Sequence, residues 1–280
     1  MNLEDLEKID SQKMCQTYDR WPDLAKQRYE QEFSRPEFKD IDHVVFAGMG
    51  GSGTIGDVFS SILSKNNIHT SVVKGYLLPK TVDSNTLVVA TSISGNTDET
   101  LTVLENSVKT NAKVIALSSG GKMEEVSSKN SIPYFKINQT HSPRASLLQF
   151  LYSTLNILQE FIPIKKADIT ESLSQLKNIQ KQICSSNLTD DNPALNLAKW
   201  INTIPVIYYP AGLQAAAIRF KNSMQENAKK HVITEDVIEA CHNGIVAWEE
   251  SSNLQPILIL GKDDYVKTKE RWEILKDFFQ

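Results

Sequence analysis

A regular alternation of strand-like and helix-like segments between residues 42 and 137 is the feature that most constrains the fold. Five short runs are rich in β-branched or aromatic residues, and segments with helical periodicity separate the first four. The runs are "HVVFAG", "TSVVKG", "TLVVATS", "KVIALSS" and "PYFKI". Because apolar residues pass through each run almost without interruption, the pattern predicts parallel strands with both faces covered by helices. We therefore predict an α/β domain built on a doubly wound, parallel five-stranded sheet.

The rest of the chain predicts further domains around this sheet. We expect N-terminal helices over 1–40, with two short helices that break near "DRWPD", and an α/β domain over 41–162. A helical linker over 163–200 and a second α/β domain over 201–280 complete the organisation. The second domain shows three strand-like runs, "IPVIYYP", "HVIT" and "PILILGK". An open three-stranded parallel sheet leaves an edge uncovered, so we expect this domain to be small or incomplete.

Composition excludes several classes of protein. The net charge of −4 gives no general attraction to nucleic acid or to an anionic membrane. No apolar run approaches the length of a membrane span, and the polar start "MNLEDLEKID" does not fit a signal peptide. The three cysteines are scattered and the histidines are dispersed, so neither a disulfide scaffold nor a metal site is indicated. These features predict a cytoplasmic protein with no membrane or nucleic-acid partner.

A glycine-rich segment, "FAGMGGSGTIGD", follows the first predicted strand and precedes a helix. It fits the dinucleotide-binding spacing Gly-x-Gly-x-x-Gly twice. A nicotinamide site also needs an acid at the end of the second strand, but no acid lies between Asp57 and Asp83. This absence argues against an NAD-dependent oxidoreductase. The helix start with Gly51 and Ser52 instead predicts a site for anions or sugar oxygens, although the glycines also suit a tight turn.

The stretch "SISGNT", residues 92–97, occupies the corresponding place after the third strand. Ser92, Ser94 and Thr97 supply three hydroxyl groups, and Gly95 lets the backbone approach a ligand closely. A helix cap alone needs only one such hydroxyl. The cluster therefore predicts a phosphate site at the carboxyl end of the sheet, where open α/β sheets bind ligands.

These motifs together resemble a known family. The glycine-rich loop after the first strand and Ser-x-Ser-Gly-x-Thr after the third strand resemble those of the sugar isomerase (SIS) domain. A narrower resemblance rests on the order and spacing of five segments, "GMGGSGTIGD", "SISGNTDET", "SPRAS", "ENAKK" and "HN". More closely, the chain from about residue 10 to its end resembles the archaeal bifunctional phosphoglucose/phosphomannose isomerases. The resemblance implies two SIS domains, the second apparently incomplete, and interconversion of glucose 6-phosphate or mannose 6-phosphate with fructose 6-phosphate. It also implies a hexose 6-phosphate substrate, no cofactor and a homodimer.

The same resemblance assigns three catalytic roles. Glu226, in "SMQENAKK", matches the glutamate that acts as the base, although a lone glutamate beside lysines is usually only solvated. His242 matches the histidine that opens the sugar ring, a role that suits an imidazole as a general acid and base, although an isolated histidine is more often structural. Arg144, in "SPRAS", matches the group that stabilises the enediolate, and its alternative role is that of a surface arginine.

One departure from the family keeps a second interpretation open. The family's second domain continues past the end of this chain and carries a lysine and a threonine for which we find no counterpart. Lys276 lies in the last predicted helix without the matching motif. A non-catalytic sugar-phosphate sensor, or an inactive fragment, is therefore the alternative to an active isomerase. Either would bind a hexose phosphate without turnover.

Overall fold

The computed structural model describes residues 2–279 and divides into two compact units, Met1–Leu197 and Ala198–Gln280. The helices and strands of the first unit follow the predicted alternation. They are α1 Leu3–Ile9, α2 Met14–Asp19, α3 Trp21–Tyr29, β1 His43–Ala47, α4 Gly50–Leu63, β2 His69–Val73, β3 Thr86–Ser92, α5 Asp98–Ser107, β4 Lys113–Ser118, α6 Lys122–Lys129, β5 Tyr134–Lys136, a 3₁₀ turn Pro143–Ser146, α7 Leu147–Ile157, α8 Lys166–Ile183 and α9 Pro193–Trp200, whose end crosses into the second unit.

The N-terminal region has one more helix than predicted. The expected break is present, since α2 ends at Asp19 and α3 begins at Trp21. A second break separates α1 from α2, because the carboxylate of Asp10 accepts hydrogen bonds from the N–H groups of Met14 (3.0 Å) and Cys15 (2.7 Å). Asp10, the residue after α1, thus satisfies two N–H groups at the start of α2.

The five-stranded sheet is confirmed. All of its strands are parallel, in the order β2-β1-β3-β4-β5. Every residue of β1 and β3 is buried, because helices cover both faces of the sheet. One face packs on α4 and α7, where the ring of Phe46 stacks on that of Phe59 at 5.0 Å. The other face, with Ala90 and Ala116, packs on Leu104 of α5 and on α6.

A buried histidine lies at the amino edge of this sheet. His43, the first residue of β1, is 5% exposed and its Nε2 lies 3.0 Å from the hydroxyl of Ser71. Its ring centroid is 4.8 Å from that of His69. Burial, with a smaller contribution from His69, lowers the pKa of His43 below its ordinary value of 6.5. The folded protein therefore favours the neutral imidazole.

We expect the first unit to lose stability as the pH falls below about 6.5, because His43 then takes up a proton more readily in the unfolded chain. This contribution is fully present above the unfolded pKa and decreases as the pH falls toward the folded one. Urea unfolding at pH 7.5 and 5.5 should show a smaller loss of stability in His43→Gln than in the wild type. An equal loss in both would contradict the assignment, and His231→Asn, at an exposed histidine, serves as the control.

The second unit is a smaller α/β layer. Its elements are β6 Ile204–Tyr209, α10 Gln214–Ser223, a π-helical turn Met224–Ala228, β7 Ile233–Asp236, α11 Val237–Ala240, a 3₁₀ helix Gly244–Glu249, β8 Leu254–Leu258 and α12 Val266–Phe278. The three predicted strands are present and parallel, and their order is β7-β6-β8. Trp272 of α12 is buried against one face of this sheet, and Ala217 of α10 against the other.

No helix within residues 2–279 is long and apolar enough to cross a membrane.

Candidate active site

Two loops of the first unit meet at the point where the strand order reverses. Strand β1 pairs with β2 on one side and with β3 on the other, and Ala47 lies beside Ala90 in the register. The glycine loop, residues 48–53, follows β1, and the serine loop, residues 92–97, begins at the last residue of β3. Open α/β sheets bind ligands in the crevice at such a reversal. The structure therefore places both loops that the sequence predicts to bind a ligand at the carboxyl end of the same sheet.

Close packing determines the shape of the glycine loop. A Cβ atom on Gly48 would lie 2.9 Å from the Cβ of Ser52, and one on Gly53 would lie 2.7 Å from the carbonyl oxygen of Gly48. Neither position has room for a side chain. Ser52 itself is 8% exposed, in the first turn of α4, and Gly51 beside it is half-buried. The loop thus presents the start of α4, with its N–H groups, at the carboxyl edge.

A lysine lies where a nicotinamide-binding domain needs an acid. Lys74 directly follows β2, and its stem crosses α4 at Gly53, where a Cβ would lie 3.1 Å from the lysine Cε. Its ammonium donates to both carboxylate oxygens of Asp57, at 2.8 and 2.6 Å, and Asp57 is 8% exposed. This ion pair occupies the end of β2 without leaving an acid for a ribose hydroxyl. The structure thus agrees with the argument against an NAD site.

The hydroxyl groups of the serine loop divide into an inner and an outer set. Ser92 is 1% exposed, its Oγ lies 2.8 Å from the Oγ1 of Thr97, and it accepts a hydrogen bond from the N–H of Gly95 at 3.1 Å. Ser94 is exposed, and Thr97 is half-exposed. Ser92 therefore braces the loop from inside, whereas Ser94 offers its hydroxyl outward.

The loop after β4 holds the serine loop in place, and sequence reasoning missed this contact. Met123 donates its N–H to the carbonyl of Gly95 at 2.9 Å, and Lys122 donates to the Oδ1 of Asn96 at 3.1 Å. Gly95 has φ +72°, and a Cβ there would lie 1.7 Å from the carbonyl oxygen of Gly120. The doublet Gly120-Gly121 after the fourth predicted strand was the available signal, because paired glycines often mark a close approach of two backbones.

The helix that follows the serine loop begins with two acidic residues. Asp98 is exposed and Glu99 is half-buried, in the first turn of α5, where carboxylates interact favourably with the helix dipole. The carboxylate of Glu99 raises the pKa of the exposed Tyr76 phenol above its ordinary value of 10.0. Tyr76 follows β2, so the segment after that strand reaches the start of α5.

Arg144 also belongs to the first unit. It is half-buried on the 3₁₀ turn Pro143–Ser146 that leads from β5 into α7. The indole N–H of Trp21 donates to the carbonyl of Ala145 at 2.6 Å, and the hydroxyl of Ser146 accepts from the N–H of Thr140 at 2.9 Å. These bonds hold the turn against the N-terminal helices and the segment after β5.

Glu226 and His242 both belong to the second unit, and they lie toward opposite ends of its strands. Helix α10 starts after β6 and runs back along the sheet, so the π-helical turn that carries Glu226 lies toward the amino end of β7. Glu226 is half-buried there. His242 is exposed and follows α11, which starts at the carboxyl end of β7. The order of these elements therefore places Glu226 before β7 and His242 after it.

The site offers no cluster for a metal. No group of three or more histidine, cysteine, aspartate or glutamate residues in the described part of the chain could hold an ion.

Comparison with known proteins identifies the class first. Residues 37–134 match the SIS domain family, and residues 190–280 match the family described as bacterial phospho-glucose isomerase C-terminal SIS domain. A solved structure of the C-terminal domain of glucosamine-fructose-6-phosphate aminotransferase from Francisella tularensis superposes with a TM-score of 0.66 at 17% identity. The alignment covers 94% of this chain and 80% of that one. The fold is thus that of SIS-domain proteins.

Sequence relatives then narrow the class to a family. A bifunctional phosphoglucose/phosphomannose isomerase from Caldicellulosiruptor bescii is 32% identical over 86% of this chain and 74% of its own length. One from Thermoplasma acidophilum is 35% identical over 77% of this chain and 64% of its own length. The chain belongs to the bifunctional phosphoglucose/phosphomannose isomerase family, as the sequence motifs predicted. A D-glucosamine-6-phosphate 4-epimerase from Sulfolobus acidocaldarius is 28% identical over 90% of this chain and 78% of its own length.

Proposed function

We propose that this protein interconverts glucose 6-phosphate and mannose 6-phosphate with fructose 6-phosphate by proton transfer through an enediol. The observation that carries the proposal is the location of the glycine loop and the serine loop. In a chain of this family, both lie at the strand-order reversal of the first sheet. No cofactor or metal takes part in this mechanism.

The serine loop binds the substrate phosphate in this proposal. Support comes from the exposed Ser94 and the half-exposed Thr97. The hydrogen bonds from the backbone N–H groups of Met123 and Lys122 to the serine loop also support it, because they restrain the backbone at Gly95. A preformed anion site spends little binding energy on ordering itself. Ser92 contributes by bracing the loop. Gly51 and Ser52 contact the sugar or its phosphate from the glycine loop.

Three residues carry the chemistry. His242 transfers the proton that opens the ring, and Glu226 moves a proton between C1 and C2 of the open sugar. Arg144, which is always charged, stabilises the negative charge that develops on the enediolate oxygen. The position of Glu226 in a π-helical turn supports its role, because such turns occur often at functional sites.

The location of Glu226 and His242 toward opposite ends of the strands of the second sheet favours a homodimer. One copy would then supply Glu226 to a given site and the other copy His242. The proposal also places the enzyme in the cytoplasm, the location that the three scattered cysteines indicate.

A coupled assay tests the proposal. The full chain is given fructose 6-phosphate with EDTA present, and the glucose 6-phosphate formed is measured through its dehydrogenase; mannose 6-phosphate is assayed in parallel. We expect turnover of both hexose phosphates. Absence of turnover in a folded protein would overturn the proposal. A melting temperature that still rises with hexose phosphate would then indicate a sugar-phosphate-binding protein without catalysis.

A further inference from the structure

A side-chain bridge spans the turn that carries His242. We use the name histidine turn for residues 240–244, from the last residue of α11 to the first residue of the following 3₁₀ helix. The Oε1 of Glu239 accepts a hydrogen bond from the Nδ2 of Asn243 at 2.7 Å. The two ends of this bond lie on either side of His242 in the chain. The bridge therefore closes a loop whose tip includes the histidine.

The side chain of Asn243 connects this bridge to the backbone of the histidine turn. Asn243 precedes the 3₁₀ helix, and its backbone angles, φ −146° and ψ −59°, are not helical. Its Oδ1 accepts from the N–H of Gly244 at 2.5 Å, so one amide side chain links Glu239 to the start of the next helix. His242 donates its backbone N–H to the carbonyl of Glu239 at 2.9 Å. The imidazole itself is exposed, and packing alone therefore does not orient it.

Glu239 is well placed to act as an anchor. Asp236 caps α11 by accepting from the N–H groups of Ile238 (2.9 Å) and Glu239 (3.2 Å), so the backbone of the anchor is held at the end of β7. On the other side, the turn packs against Glu235. A Cβ on Gly244 would lie 2.6 Å from the Oε1 of Glu235. Burial, and then the charge of Glu239, raise the pKa of Glu235 above its ordinary value of 4.5.

We propose that Glu239 is a positioning residue that orients His242 for proton transfer by holding Asn243 across the histidine turn. The inference rests on the proposed ring-opening role of His242. Glu239 acts through Asn243 and does not touch the substrate. A charged acceptor strengthens the hydrogen bond to the Asn243 amide, which explains why a carboxylate at this position is effective.

Kinetics of three variants test the proposal. Glu239→Ala should lower kcat for fructose 6-phosphate by about tenfold or more while KM changes little, because a displaced catalytic group loses rate without losing substrate contacts. Glu239→Gln keeps an oxygen that accepts the same bond and should recover most of kcat. Glu249→Ala, at an exposed glutamate of the same segment, should match the wild type. Wild-type kcat in Glu239→Ala would overturn the proposal.

Hydrogen exchange separates this proposal from the function on which it rests. The backbone amide of Gly244 should exchange faster in Glu239→Ala than in the wild type, and Glu249→Ala should leave it unchanged. Unchanged exchange in Glu239→Ala would overturn the bridge, whatever the activity. Inactive wild-type protein, or a His242→Ala variant with full activity, would overturn the catalytic role of His242 and with it the positioning role of Glu239, even if the exchange result held.

Discussion

Replacement of Gly95 by alanine should unfold the serine loop and destabilise the first unit by about 3 kcal/mol or more. The new Cβ would lie 1.7 Å from the carbonyl oxygen of Gly120, and φ at this position is +72°. The clash requires the backbone at residue 95 or at Gly120 to move, which costs roughly 1–3 kcal/mol. The positive φ of an alanine at this position adds backbone strain of similar size. Urea unfolding measures the loss. The rise in melting temperature with hexose phosphate should also disappear.

Gly50→Ala is the matched control for this prediction. Gly50 also has positive φ, +51°, but a Cβ there would meet no atom within 4 Å. This variant should lose only about 1–2 kcal/mol, the conformational cost of a left-handed residue. Equal losses of stability in the two variants would show that the contact between Gly95 and Gly120 contributes nothing beyond backbone conformation.

Replacement of Glu226 by glutamine should lower kcat by about 10²–10⁴-fold, the usual contribution of a positioned general base. The amide keeps the shape of the side chain but cannot accept the proton from the sugar. Substrate binding should survive, because the proposed phosphate contacts lie on the first unit. The coupled assay and a thermal-shift titration with fructose 6-phosphate measure the two quantities. Glu250→Gln, at an exposed glutamate of the same unit, should retain full activity.

A Glu226→Gln variant with kcat within tenfold of the wild type would exclude this residue as the base. A variant that also lost its binding and its melting transition would instead show that Glu226 supports the fold of the π-helical turn.

The sheet of the first unit was predictable because its strands are buried on both faces. Each residue of β3 is buried, so the run "TLVVATS" is apolar or small throughout and ends abruptly at the edge. Such runs alternating with helices allow few architectures. The location of the glycine loop and the serine loop followed from the same reasoning, since each follows a strand at the carboxyl end of a parallel sheet.

Contacts between distant loops were not predictable from the sequence. The contact between Gly95 and Gly120 joins residues 25 positions apart, and nothing near Gly95 specifies Gly120 as its neighbour. The direction of a hydroxyl is hidden for the same reason, so Ser92 and Ser94 looked equivalent although one is buried and the other exposed. The bridge from Glu239 to Asn243 joins residues four positions apart, but α11, which carries Glu239, is too short to show a helical period.

Deuterium transfer from the solvent tests the central claim most directly. Fructose 6-phosphate is converted by the wild-type protein in D₂O, and the hexose phosphates are analysed by NMR for deuterium at C1 and C2. Proton transfer through an enediol predicts that solvent deuterium appears at these carbons, and that Glu226→Gln reduces this incorporation together with turnover. Isomerisation in which neither carbon ever acquires deuterium would contradict the account, because hydrogen would then move directly between the two carbons without a base that exchanges with water.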